Sequence, residues 1–208
     1  MNMALDEVFW KSATVARLRF YRWDHPAISF GYFGQYRDVA SYSEKWEIVR
    51  RCTGGGIVFH GNDLTYALII PTRAGHPMPS TAAIYALTHR AVQNALLKTG
   101  IDARLMEESG GRSPLPEFQP NTCFGNPVRS DVMVADRKVA GAAQRRSRQG
   151  LLQQGSIQNV CLACDFQSRF AEQLAANVTE RNIDAVTLDE ATQLAAAKYA
   201  TREWLQRE

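Results

Sequence analysis

The chain has 208 residues, 45% hydrophobic and 22% charged, with a formal net charge of +3. That balance describes a globular protein with a core of its own, and the excess charge is too small to demand nucleic acid. No apolar run approaches the roughly 20 residues that span a bilayer, and the N-terminus has no basic stretch leading into a hydrophobic signal core, so the expectation is a cytoplasmic protein with neither a membrane nor a nucleic-acid partner.

In chain order, Asn2 to Ser12 places Met3, Leu5, Val8 and Phe9 at the spacing of a buried helical face, with almost no leader before it and room for a missing upstream strand. Val15 to Tyr21 and Ala27 to Tyr32 are β-branched and aromatic runs separated by Asp24-His25-Pro26, which predicts a strand, a turn and a strand. Ile57 to His60 and Leu64 to Ile70 flank Gly61-Asn62-Asp63 and predict a hairpin. Ser80 is placed to cap a helix to about Thr99, with Ile84, Leu87, Ala91, Val92, Ala95 and Leu96 as its apolar face and Gly100 as its stop.

Glycines, prolines and polar residues from Glu108 to Pro127 predict a long loop. Asp131 to Ala135 and Lys138 to Ala143 read as a second hairpin turning at Asp136-Arg137, and Leu151 to Gln158 as a further strand. After Asp165, Phe166, Phe170, Leu174 and Val178 recur every four residues, and Thr187-Leu188-Asp189-Glu190 fits a capping box before a last helix ending near Leu205. The sum is an α+β fold with a mixed, largely antiparallel sheet backed by helices, divided into a body of residues 1–165 and a helical segment of residues 166–208 packed on it.

Two segments carry chemistry. In Arg50-Arg51-Cys52-Thr53-Gly54-Gly55-Gly56, three glycines allow a close backbone approach to a ligand. The segment lacks the Gly-Lys-Ser/Thr ending of a phosphate-binding loop, and a bulge or turn is the plainer alternative. In Lys138-Val139-Ala140-Gly141-Ala142-Ala143, a lysine stands among small residues. Held in a confined site it polarises a carbonyl, neutralises a phosphate or accepts a proton; left on a hairpin it is a solvated charge.

Together, Arg51-x-Thr53-Gly54-Gly55-Gly56-x-Val58-x-His60, Lys138-Val139-Ala140-Gly141-x-Ala143-Gln144-Arg145-Arg146, Gln154-Gly155-Ser156-Ile157 and the opening Asn2 to Glu7 resemble the lipoate-protein ligase and octanoyltransferase family. The resemblance implies the fold of the biotin and lipoate ligase catalytic domain for residues 1–165. It also implies attachment of a lipoyl or octanoyl group to a lysine of a lipoyl carrier domain, such as that of a 2-oxoacid dehydrogenase E2 or a glycine cleavage H protein. Lys138 would contact the reacting carbonyl. Arg51, Thr53, Gly54, Gly55, Gly56 and His60 would line the acyl and nucleotide or thioester site, with Gly141 and Ala143 leaving room for the chain and Gly155-Ser156 forming another wall.

Two routes are open within such a family. A ligase would use lipoate, ATP and Mg²⁺ through an acyl-adenylate, with Asp131 helping to hold the metal; this is the slightly favoured route, and it needs no tightly bound cofactor. A transferase would take octanoate from an acyl carrier protein thioester through a Cys123 acyl-enzyme, since Cys123-Phe124-x-x-Pro127-x-x-x-Asp131 is similar to the nucleophile region of one octanoyltransferase branch, although Ser130-Asp131 departs from its pattern. A neighbouring cation raises the reactive thiolate fraction; an inert buried thiol is the alternative. A separate accessory domain is a further possible partner, a lipoate-binding adaptor the non-catalytic reading, and a biotin ligase the weaker enzymatic one.

Cys161-x-x-Cys164 lacks two more ligands at metal-site spacing, and four cysteines make no disulfide framework. His25, His76 and His89 are scattered and read as structural or surface residues. Arg145-Arg146-Ser147-Arg148 has no interleaved aromatics to stack bases, leaving a solvated cluster or a docking patch for an acidic carrier domain.

Overall fold

A computed structural model describes residues 1–107 and 123–207; the expected loop from Glu108 lies outside them as far as residue 122. Helix α1, Asn2–Ser12, is buried continuously from Met3 to Trp10, so it is enclosed on all sides rather than on one face. Burying Asp6 and Glu7 within it requires partners. Asp6 receives Arg19, Tyr21 and Gln154; Glu7 receives Lys11, Lys198 and Tyr199. Burial would raise Glu7, but those hydrogen bonds outweigh it and hold the carboxyl down at about 2.

The strands are β1, Arg17–Tyr21; β2, Ala27–Phe30; β3, Glu47–Arg50; β4, Val58–His60; β5, Leu64–Pro71; β6, Ala103–Leu105; β7, Val132–Val134; β8, Arg137–Arg146; and β9, Gly150–Ile157. Six form one sheet in the order β1-β5-β9-β8-β7-β6, and three form another in the order β3-β2-β4. β1 lies antiparallel to β5, with Arg17 opposite Ile69 and Tyr21 opposite Thr65; β2 lies parallel to β3 and antiparallel to β4.

The expected hairpin over Ile57 to Ile70 is therefore corrected, since β4 and β5 belong to different sheets. The cause is Asp63, whose carboxylate accepts from Gly61 N at 3.0 Å and from Thr65 Oγ1 at 2.9 Å and faces His60 Nδ1 at 2.8 Å. That local network turns the chain out of one sheet before it enters the next. β1 and β2 likewise part company, and β3 was not anticipated.

The described chain divides into two compact units. The first comprises Met1–Pro77, Ala143–Gln154 and Arg181–Glu208. Its core joins Phe9 and Trp10 to Cys52, Ala67, Ile69 and Leu152, and a second cluster joins Ala4, Leu5 and Val8 to Ala191 on helix α4, Ala185–Leu194. Asp184 caps α4 by accepting from Thr187 N at 2.8 Å, so the helix starts two residues before the expected Thr187 box. The last helix is also interrupted: Ala195–Tyr199 is a π turn, and α5, Arg202–Leu205, has its own cap at Thr201.

The second unit comprises Met78–Ala142 and Gly155–Glu180. Helix α2, Thr81–Leu97, has the expected Ser80 cap, and Gly100 follows it at φ 82°. Ile84, Ala91, Val92, Ala95 and Leu96 are buried as the periodicity requires, whereas Leu87 is 57% exposed. Helix α3, Phe166–Leu174, packs against α2 with Phe166 and Phe170 buried; Val178 lies beyond its end and is exposed.

Candidate active site

Lys138 is delivered by the β7–β8 hairpin. Ala135 and Asp136 hold φ 45° and 62°, the handedness of a tight two-residue turn, one residue earlier than expected. Pairing then slips: Val132 faces Ala140 whereas Met133 faces Lys138, so β8 carries one extra residue, Val139. Such a bulge bends a strand and re-aims its side chains, and Lys138, Val139 and Ala140 are all buried where simple alternation would turn one outward.

A lysine 6% exposed needs a counter-charge. Lys138 Nζ lies 2.8 Å from Asp131 Oδ2 and donates to the Cys123 carbonyl at 2.7 Å. The Cys123 Sγ is 3.5 Å away. Gly141 makes the fold-back possible: a β-carbon there would run into Lys138 Cε and come within 2.7 Å of its Nζ. The structure thus brings together four expected residues of this unit, Lys138, Asp131, Cys123 and Gly141.

Asp131 is wholly buried. Its Oδ1 accepts from the Tyr85 hydroxyl at 2.5 Å, and its Oδ2 accepts from Val128 N at 2.7 Å beside Lys138. Both oxygens are engaged, and among the described residues no three His, Cys, Asp or Glu side chains are placed to hold a metal.

Tyr85 and His89 were not anticipated in the site. The Tyr85 hydroxyl accepts from Ala142 N at 3.2 Å, and burial, reinforced by the Asp131 charge, pushes the phenol far above its usual range. His89, fully buried, places Nδ1 2.8 Å from the Ser130 carbonyl. Burial brings its pKa down to about 4 against the opposing pull of Asp131. The available signal was two polar ring residues four apart on a largely apolar helix face.

In the first unit, Arg51 clasps the triple-glycine segment: its guanidinium donates to the carbonyls of Gly54 and Gly56 at 2.9 and 2.8 Å and to Ser29 Oγ at 2.7 Å. Gly55 holds φ 85°, and a β-carbon on it would stand 2.9 Å from that of Ala143. Gly31, missed by sequence reasoning, is met directly by the backbone of Gly54 and Gly55. Thr53 is wholly buried and donates to Gln154 Oε1 at 2.8 Å, and Gln154 reaches Asp6 at 2.7 Å.

His60 stands between Ser29 Oγ at 2.6 Å and Asp63, stacked on Trp23, and burial lowers its pKa despite the aspartate. In the second unit Ser156 is buried in β9 beside Gly155 and accepts from Gln158 at 3.0 Å. His25 and His76 are exposed, and so are Cys161 and Cys164. Arg145 is not a solvated charge: it donates to the Cys52 carbonyl at 3.0 Å and stacks over Trp10 and Tyr32.

Residues 1–199 match the sequence profile of the lipoyl protein ligase A/B catalytic domain. The chain belongs to that family. Octanoyltransferase LipM of Oceanobacillus iheyensis is 32% identical over 198 residues, covering 90% of this chain and 71% of that protein. LipM of Bacillus subtilis is 33% identical over 168 residues, and this chain spans only 60% of its length.

Among solved structures, a lipoate-protein ligase A bound with ATP superposes with a TM-score of 0.76 at 20% identity, covering 98% of this chain and 92% of its own. A bi-partite lipoate protein ligase from Thermoplasma acidophilum, studied with its E2 lipoyl domain, gives 0.75 at 20% identity, covering 99% and 90%. These likenesses establish the family fold expected from the sequence. No described helix is long and apolar enough to cross a membrane.

Proposed function

We propose that this family member is an octanoyltransferase that works through an acyl-enzyme on Cys123. The carrying observation is the Cys123 thiol 3.5 Å from Lys138, a buried ammonium held by Asp131. A fixed cation at that distance stabilises negative charge on sulfur, which a nucleophilic thiol needs when it attacks and again when it leaves. The LipM relatives point the same way, against the slight preference for a ligase that the sequence had given.

In the first half-reaction the Cys123 thiol loses its proton and attacks the octanoyl thioester of an acyl carrier protein. The new thioester forms on Cys123 as the bond to the carrier sulfur breaks, and the released carrier thiolate takes up a proton. In the second, the neutral amine of a lysine on a lipoyl carrier domain attacks that thioester. An amide forms, the amine sheds a proton, and Cys123 leaves as a thiolate beside Lys138 before regaining a proton. Asp131 orients the cation in both steps. Gly141 leaves space for it, and Gly155 and Ser156 of the same unit serve the acyl chain.

The ligase route through lipoate and ATP has less support, because its metal ligand, Asp131, is already committed to Lys138, Tyr85 and Val128 N. The test incubates the protein with octanoyl-carrier and a lipoyl domain and weighs both proteins. An octanoyl group on the enzyme that hydroxylamine removes, followed by its appearance on the domain, is the expected result. Modification of the domain only with lipoate plus ATP would overturn the proposal in favour of a ligase.

A further inference from the structure

We propose that Tyr85 and His89, one turn apart on α2, are positioning residues that clamp Asp131 from its side chain and its backbone and so fix Lys138 beside Cys123. The proposal rests on the reaction proposed above for its catalytic meaning, but its geometry stands independently. Ser130, just before Asp131, holds φ 69°, a left-handed conformation costly for a non-glycine residue. Two contacts keep it there: its carbonyl accepts from His89 Nδ1 at 2.8 Å, and its N–H donates to Met106 O at 2.7 Å. Released from His89, the residue can return to ordinary backbone geometry, and the Asp131 carboxylate turns with it.

Tyr85 acts on the other end. Its hydroxyl donates to Asp131 Oδ1 and accepts from Ala142 N, tying the carboxylate to the strand that carries Lys138. The two rings pack edge to face, centroids 4.1 Å apart and 69° between planes. The groups facing His89 are Tyr85, Asp131, Lys138 and the Ser130 carbonyl. A carbonyl can only accept, so His89 carries its proton on Nδ1. Nε2 is left a buried acceptor with no hydrogen-bond partner among the described residues. The useful atom is therefore Nδ1, whose position an asparagine amide can reproduce.

The test uses Tyr85→Phe, His89→Leu and His89→Asn in a chain whose exposed Cys161 and Cys164 are changed to serine, each variant first shown to melt cooperatively. Iodoacetamide alkylation of Cys123 across the neutral to alkaline range reads the thiolate directly, without any acyl donor. Tyr85→Phe and His89→Leu should slow alkylation of Cys123 at neutral pH several-fold. They should also lower kcat for acyl transfer on the order of a hundredfold, as a misplaced group does, with KM for octanoyl-carrier unchanged.

His89→Asn should restore the wild-type profile. Unchanged alkylation in folded Tyr85→Phe and His89→Leu would overturn the clamp, and so would His89→Asn behaving like His89→Leu, which would assign the function to Nε2. Slowed alkylation in an enzyme that never transfers octanoate would sustain the clamp while defeating the proposed reaction.

Discussion

Gly141→Ala separates the chemistry from the fold more cleanly than removal of Lys138. The added methyl would stand 2.7 Å from Lys138 Nζ and closer still to Cε, whereas unstrained contacts lie near 3.5 Å or more, so the ammonium must move by roughly 1 Å. What meets the methyl is the end of a flexible side chain, so the strand can stay and the lysine yields. Asp131 then loses its 2.8 Å partner and Cys123 its neighbouring charge. A 1 Å misplacement of a reacting group costs on the order of a hundredfold in rate. Single-turnover acylation of Cys123, followed by mass, should slow by about that factor, while the melting cooperativity of the variant is preserved. Wild-type acylation in folded Gly141→Ala would show that the position of Lys138 does not matter to the reaction.

Cys123→Ala should abolish both the hydroxylamine-labile adduct and octanoyl transfer; continued turnover would rule out the acyl-enzyme. Asp131→Ala should destabilise the protein by about 3–5 kcal/mol in denaturant titrations, because it strands a buried ammonium; a change below about 1 kcal/mol would mean that Lys138 finds solvent. His89, whose folded pKa of about 4 lies below its ordinary 6.5, binds fewer protons folded than unfolded between those values. Its contribution is therefore present above pH 6.5 and lost as the pH falls towards 4, about 2 kcal/mol by pH 5, and His89→Asn should flatten the stability curve by that amount. Gly55→Ala should cost about 1–2 kcal/mol from its positive φ alone, and Ala143→Gly should relieve its close contact without restoring full stability; complete rescue would place the strain in packing instead.

What could be read in the sequence follows the range of the forces involved. Ser80, the apolar stripe of α2 and Gly100 act within a turn or two, and they fixed a helix that the structure reproduces. The run from Lys138 to Ala143 was legible as a strand and lies within β8, whereas the fold-back of the lysine over Gly141 was not. Sheet membership was hidden: Gly61-Asn62-Asp63 has hairpin composition, and only the three-dimensional engagement of Asp63 by His60 and Gly61 shows that the chain changes sheets. Asp131 was picked out for its charge, but its partners could not be, because Tyr85 lies 46 positions away. Several signature residues proved internal: Asn2 and Asp6 are held by Arg19, and Thr53 meets Gln154. Those parts of the motif identify the family through its framework as much as through its chemistry.

The treatment of buried cations separates Lys138 from Arg50 and Arg51 and supports the reactive role proposed for the lysine. Arg50 directs its donors to the carbonyls of Tyr32, Gly34, Leu205 and Arg207, and Arg51 binds Ser29, Gly54 and Gly56. A planar fork satisfied by fixed acceptors on several sides is a structural clasp that cannot follow a changing charge. Lys138 has one carboxylate, one carbonyl and, at 3.5 Å, a sulfur whose hydrogen bond is weak while the thiol is neutral. When charge develops on that sulfur, an ammonium can rotate a donor towards it without releasing Asp131, so the interaction is stronger in the charged state than in the resting one. That difference, rather than the strength of the resting ion pair, is what can accelerate a reaction.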